Sequence, residues 1–228
     1  MSIEVSVVRV FTDRGGRFGN RLGIVDARDI VVKELRQELA QRIGFSETVF
    51  LEPPDSATHS VQVDIFTPAT KLPFAGHPTV GVAAWLNGRG TPVSKLEVDA
   101  GDVLVRLDGN TVNVRAKSAW CPEFEFHHVG SAQAVAKADP AFYSLGHHYV
   151  WSWTDESAGA IRARMFAPDM GVPEDEATGS AAVRLTDLLG RNLDITQGRG
   201  SRLTTTYSDD GWIELGGLVV AEPPFSVG

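Results

Sequence analysis

Two stretches of this chain repeat one another, and each leads into a helix. The first runs Phe66-Thr67-Pro68-Ala69-Thr70-Lys71-Leu72-Pro73-Phe74-Ala75-Gly76-His77-Pro78-Thr79. The second runs Phe166-Ala167-Pro168-Asp169-Met170-Gly171-Val172-Pro173-Glu174-Asp175-Glu176-Ala177-Thr178-Gly179-Ser180. Each has Phe-x-Pro, a short loop with a second proline, then Gly-His or Gly-Ser, then an Ala/Val-rich helical segment. The second phenylalanine lies 100 positions after the first in a chain of 228 residues. A repeated unit of this length constrains the fold to two related halves. Two helix N-termini facing each other would form one anion-binding site between them, because their first N–H groups are free and carry the positive end of the helix dipole.

The rest of the pattern fits two α+β halves. Val5 to Phe11 reads as a strand ending in the turn Thr12-Asp13-Arg14-Gly15-Gly16, and Leu22 to Val25 as its hairpin partner. Asp29 to Ile43 reads as a helix with an apolar stripe of Val32, Leu35, Leu39 and Ile43, stopped by Gly44. Thr48 to Leu51 and Ser60 to Phe66 are strand-like. His77 to Leu86 is a helix with Pro78 in its first turn. Leu96 to Val98, Val103 to Leu107 and Val112 to Arg115 form a meander. Strand signals pause at Trp120-Cys121-Pro122, which divides the chain into residues 1–118 and 119–228. Beyond it, Gly130 to Ala136 reads as a short helix, and Tyr149 to Trp153 and Gly159 to Phe166 as strands. Ser180 to Leu189 is a helix ended by Gly190. Arg202 to Tyr207, Trp212 to Leu215 and Leu218 to Ala221 close the chain as strands. In each half, mainly antiparallel strands wrap one central helix.

Composition narrows the function. The net charge is -8, with 21 Lys and Arg against 29 Asp and Glu. That argues against a nucleic-acid partner, which needs clustered cations. No apolar run is long enough for a membrane helix. The start of the chain carries no basic segment followed by a long apolar one, so a cytoplasmic protein is expected. Cys121 is the only cysteine. It allows neither an internal disulfide nor catalysis by two thiols of one chain. Pairing into a homodimer is compatible with this reading, although no apolar stripe specifies it.

Several residues are candidates for chemistry. Glu47 is the one carboxylate in the apolar stretch Gly44 to Phe50. If buried, it would titrate nearer neutrality and serve as general acid or base. Local context by itself favours a head that reaches solvent or caps a turn. His77, at a Gly-His helix start, would orient a substrate or shuttle a proton; packing or capping explains it equally well. Glu174 and Glu176 read as capping acids of the following helix. Asp175 differs from them only if the two halves face each other. The adjacent pairs His127-His128 and His147-His148 make poor chelates, since neighbours on a strand point to opposite faces, and no metal site is expected. Gln197-Gly198-Arg199-Gly200-Ser201-Arg202 lacks a Walker ending; its arginines would meet a carboxylate or simply be solvated. No nucleophile elbow surrounds Ser46 or Ser180. Cys121 reads as packed rather than reactive.

Together these stretches resemble the PhzF-like (phenazine biosynthesis-like) family within the diaminopimelate-epimerase-like superfamily. The motifs are Phe18-Gly19-Asn20, Ser46-Glu47-Thr48, the Phe66 to Thr79 block and Gly171 to Ala182, supported by Gln197-Gly198 and Leu215-Gly216-Gly217. The likeness covers nearly the whole chain in order. It implies two curved sheets, each around a central helix, with the active site in the cleft between them. It further implies that Glu47 transfers the proton, with His77 and Asp175 beside the substrate. Asn20, Gly76, His77, Gly179 and Ser180 would hold a small carboxylated molecule. No metal, nucleotide or pyridoxal phosphate takes part in the reaction so implied. Three departures bear on the substrate. The chain is short for the family, with the loss concentrated in the second half. The Gln197 to Arg202 turn is compressed. Lys71 stands where an acid is common. The expected function is a cofactor-independent isomerase. The alternatives are an epimerase or racemase without catalytic cysteines, and a non-catalytic ligand-binding scaffold.

Overall fold

The structure, a computed structural model, describes residues 2–26 and 32–228. Its first half contains β1 (Ile3–Thr12), β2 (Asn20–Val25), α1 (Lys33–Ile43), β3 (Glu47–Leu51), β4 (Ser60–Phe66), β5 (Lys71–Leu72), α2 (Gly76–Gly88), β6 (Lys95–Val98), β7 (Gly101–Asp108) and β8 (Thr111–Ala116). The second contains β9 (Glu125–His128), α3 (Ala132–Ala136), β10 (His148–Asp155), β11 (Ala160–Ala167), β12 (Val172–Asp175), α4 (Gly179–Leu189), β13 (Leu193–Gln197), β14 (Ser201–Tyr207) and β15 (Ile213–Val227).

The repeat seen in sequence is a repeat of topology. In the first half, β2 to β3 is parallel, β3 to β4 antiparallel, β4 to β6 parallel, and β6 to β7 and β7 to β8 antiparallel. In the second half, β9, β10, β11, β13, β14 and β15 pair in the same succession of senses. β5 and β12 are short strands on β4 and β11, and each leads into its half's central helix. The parallel steps are the crossovers that carry helices, as a parallel connection requires.

β15 joins the halves. Its first residues pair with β14 on one side and β8 on the other. Its remainder runs along β1, from Leu218 opposite Thr12 to Val227 opposite Ile3. The first half therefore closes on itself around α2, whereas the other end of the sheet path stops at β9. One apolar core runs through both halves, from Val8 and Leu22 to Ile195 and Leu215.

Two sequence expectations change. The strands expected at Trp212 to Leu215 and Leu218 to Ala221 are one continuous β15, with Gly216-Gly217 inside it rather than at a turn. A Cβ on Gly216 would lie 2.0 Å from Asn113 Oδ1, and one on Gly217 would lie 2.5 Å from Phe11 Cδ1. These glycines serve close packing, not chain reversal. The stripe expected on α1 is only half buried: Leu39 and Ile43 pack inside, while Val32 and Leu35 are more than half exposed. Arg36 is buried instead, pairing with Asp64 at 2.5 Å and Glu52 at 2.7 Å. Gly44 ends α1 with a φ of 72°, its N–H donating to Ala40. The expected helix start at Asp29 lies outside the described residues. Among the described residues, no helix is long and apolar enough to cross a membrane.

The N-termini of α2 and α4 meet backbone to backbone. A Cβ on Gly76 would lie 2.9 Å from the Cα of Gly179 and 2.7 Å from Leu215 Cδ2. Gly76→Ala should therefore lower unfolding stability by about 1–3 kcal/mol in urea titrations, through overpacking of a rigid contact. Gly88→Ala, at the far end of α2 where an added Cβ meets nothing within 4 Å, should cause no loss.

Candidate active site

The site forms where these helices meet. Ala75 and Thr178, the residues before α2 and α4, are extended and provide no side-chain cap. The first turns of both helices therefore lack the side-chain cap that usually satisfies their N–H groups. Glu174 and Glu176 do not cap α4, contrary to expectation. Glu174 pairs with Arg164 at 2.6 Å and Glu176 with Arg199 at 3.0 Å. Both lie before Thr178, the cap position itself, and turn toward neighbouring strands instead.

Glu47 opens β3 and faces the start of α2. Its Oε2 lies 3.3 Å from His77 Nδ1. The His77 side chain is 4 % exposed and that of Glu47 18 %, so the carboxyl marks the solvent side of the pair. This contact is not an ion pair. Burial pushes the His77 imidazole down to about 4, against the opposing charge of Asp175. The ring is therefore neutral near pH 7. Burial also lifts Glu47 to about 7, only partly offset by a hydrogen bond from Ser46. Glu47 Oε2 and His77 Nε2 are buried without a hydrogen-bond partner.

Asp175 approaches from the second half. Asn20 Nδ2 donates to its Oδ1 at 2.6 Å and Thr178 Oγ1 donates to its Oδ2 at 2.5 Å. Burial, then the charge of Glu47, raises its carboxyl to about 6, against these two hydrogen bonds. Asn20 was expected to hold an anion; its amide also donates to the Ala177 carbonyl at 3.0 Å, so here it ties β2 to the Asp175 loop. Ser180 is buried in the first turn of α4, beside Cys121. Burial pushes that thiol up to about 12, leaving it packed and unreactive near neutral pH.

Sequence reasoning missed the brace behind Asp175. Gln197 is fully buried. Its Nε2 donates to the Asp175 carbonyl at 3.0 Å and to Thr178 Oγ1 at 2.8 Å. Its Oε1 accepts from the Thr178 N–H and from Tyr149 Oη, both at 3.1 Å. All four partners are distant in sequence, so only the Gln-Gly turn hinted at it. Lys71 is neutralised by Asp64 at 2.8 Å and Asp99 at 2.7 Å. Two surface concavities, of about 410 Å³ beside Pro140 and Pro168 and about 370 Å³ beside Trp85 and Arg89, are lined by none of these residues.

The family model of phenazine biosynthesis-like proteins matches residues 8–141 and 131–208. The chain belongs to this family. It is 32 % identical over 211 residues to a trans-2,3-dihydro-3-hydroxyanthranilate isomerase of Pseudomonas chlororaphis, covering 76 % of this chain and 75 % of that one. Its alignment with the phenazine biosynthesis-like domain-containing protein of Rattus norvegicus, 24 % identical, spans 290 positions and covers 97 % of this chain and 98 % of the other. The rat protein therefore carries dozens of residues with no counterpart in these 228. The fold matches a phenazine biosynthesis PhzC/PhzF protein from Clostridium difficile, with a TM-score of 0.78 at 19 % identity over 99 % of both chains. It also matches a hydroxyproline epimerase from Agrobacterium vitis, with a TM-score of 0.61 at 12 % identity over 99 % of this chain and 92 % of that one. The phenazine biosynthesis-like chain is thus an enzyme of an isomerase family on an epimerase-like fold.

The raised Glu47 carboxyl has a thermodynamic consequence. The folded protein holds a proton that the unfolded chain releases above its ordinary value of 4.5. The stability this provides is present below 4.5 and is lost as pH rises through about 7. Between those limits, unfolding free energies of Glu47→Gln and wild type should diverge in the variant's favour by on the order of 2 kcal/mol. His77 has the opposite dependence, losing stability as pH falls from 6.5 through about 4, while Asp175, raised in part by the charge of Glu47, loses that part of its shift in the variant.

Proposed function

We propose that the chain is a cofactor-independent isomerase that moves a proton on a small, unsaturated, carboxylated substrate. The observation that carries this reading is the Glu47 carboxyl at about 7, 3.3 Å from a neutral buried histidine, beside two abutting uncapped helix N-termini. A carboxyl in this range is ionised often enough to take a proton and protonated often enough to return one. The substrate carboxylate sits on the N–H groups around Gly76-His77 and Gly179-Ser180. Glu47 removes a proton from the carbon next to the unsaturated system, and the helix ends stabilise the negative charge that develops. Glu47 then delivers the proton to another carbon of the same conjugated system. His77 Nε2, buried without a partner, meets a polar substrate group, and Asp175 holds another from the opposite half.

The first substrate to try is trans-2,3-dihydro-3-hydroxyanthranilate, the compound in the name of the Pseudomonas relatives. Incubated in deuterium oxide with the wild-type enzyme, it should take up solvent deuterium as its double bonds shift. Glu47→Gln should slow both events by about 10²–10⁴-fold, the usual worth of a positioned acid–base group. Exchange at the wild-type rate in that variant would refute the proposed role of Glu47. For wild type, kcat/KM should fall as pH drops below about 7, where the Glu47 base becomes protonated.

The rival is inversion of a stereocentre, which the acids Glu47 and Asp175 from opposite halves would support. Chiral analysis of recovered amino and hydroxy acids separates the two, since the isomerase leaves their configuration unchanged. A non-catalytic scaffold would bind small carboxylates in calorimetry with no turnover and no sensitivity to Glu47→Gln.

A further inference from the structure

Neighbouring residues on a strand face opposite ways, which disqualifies His127-His128 and His147-His148 as chelating pairs taken singly. The sheet recombines them. β9 lies parallel to β10, with Glu125 beside His148 and His127 beside Val150. Glu125 and His127 are two apart on β9, so both share the face on which His148 stands. His127 Nε2 is 3.1 Å from His148 Nδ1. Glu125 Oε2 lies 3.6 Å from that Nδ1 and 4.0 Å from His127 Nε2. Among the described residues, this is a group of three side chains whose donor atoms all lie within 4.8 Å of one another.

We propose that Glu125, His127 and His148 form a binding site for a late first-row divalent cation, best suited to Zn²⁺. Tetrahedral Zn²⁺ with bonds of about 2.0–2.1 Å holds its donors roughly 3.3 Å apart. The histidine nitrogens already stand near that spacing. The Glu125 side chain, 66 % exposed, has room to swing the few tenths of an ångström it needs. His148 is set up as a ligand: its Nε2 donates to the Leu145 carbonyl at 2.6 Å, which leaves Nδ1 as the lone-pair nitrogen facing His127 and Glu125. Metal-bound histidines fix their tautomer and ring orientation in this way. The Tyr143 ring packs against both imidazoles, at 5.2 Å and 5.3 Å. Two imidazoles and one carboxylate suit Zn²⁺ over the hard cations, and solvent completes the fourth position.

The place in the fold explains what the cation does. β9 ends the sheet path and has four residues, with β10 as its named strand neighbour. A cation held by two β9 residues and the first residue of β10 clamps this end strand to the sheet. The site is separate from the proton-transfer centre. Tyr149, next to His148, points to the other face of β10 and reaches Gln197. The cation therefore acts on stability rather than turnover.

The test uses the untagged chain, dialysed against EDTA and titrated with Zn²⁺ in a calorimeter. One Zn²⁺ per chain should bind, and the melting temperature should rise by about 5 °C or more at a hundredfold excess over Kd. His127→Gln and Glu125→Gln, both at partly exposed side chains, should each weaken binding at least tenfold while far-ultraviolet circular dichroism and isomerase activity stay unchanged. Co²⁺ should give tetrahedral d–d absorption in wild type that is lost in His127→Gln. Absence of saturable Zn²⁺ binding, or equal binding in wild type and His127→Gln, would overturn the proposal.

Discussion

The contact between Gly76 and Gly179 is the constraint on which the rest depends. Each glycine is the first residue of its half's central helix, and the gap between them has no room for a Cβ on either side. Leu215 closes the same gap from β15, the strand that belongs to both halves. Two positive helix ends are thereby concentrated at one point. Elsewhere such ends are satisfied by Ser, Thr, Asp or Asn side chains. Here Thr178 occupies the cap position, but its hydroxyl donates to Asp175 instead.

Burial at this junction accounts for the electrostatics. Glu47, His77 and Asp175 come from β3, α2 and β12, and all three are shifted toward their neutral forms mainly by loss of water. The shifts are unequal because the surroundings differ. Asp175 accepts two hydrogen bonds and stays lower than Glu47. Glu47 lies against a neutral imidazole and accepts a hydrogen bond from Ser46. The site is therefore symmetric in backbone and asymmetric in chemistry.

Much of the fold was legible because the repeat is local. Phe-x-Pro followed by Gly-His or Gly-Ser carries its strand, loop and helix start within 14 or 15 residues, and the apolar periods around it report strands directly. What failed did so where long-range packing overrides local chemistry. Trp212 to Leu215 and Leu218 to Ala221 read as two strands, yet they are one continuing strand in which Asn113 and Phe11 leave space only for glycine at Gly216 and Gly217. Val32 and Leu35 continue the apolar period of α1 but remain exposed, while Arg36 is buried because Asp64 and Glu52 arrive from the sheet to meet it. Glu174 and Glu176 look like capping acids until Arg164 and Arg199 are placed beside them.

By itself, the sequence determined that there are two related halves, that each has one central helix with a glycine start, and that no second thiol exists for a cysteine pair. Those conclusions follow from residue identity and short-range spacing. Only the tertiary structure decided that the glycine starts touch, that Glu47 lies against His77, and that Gln197 and Tyr149 brace the Asp175 loop. It likewise decided that histidines from two separate dipeptides share one face. The physical reason is common to all of these. Each depends on which strands pair and in what register, and register brings together residues whose separation along the chain carries no trace of the encounter.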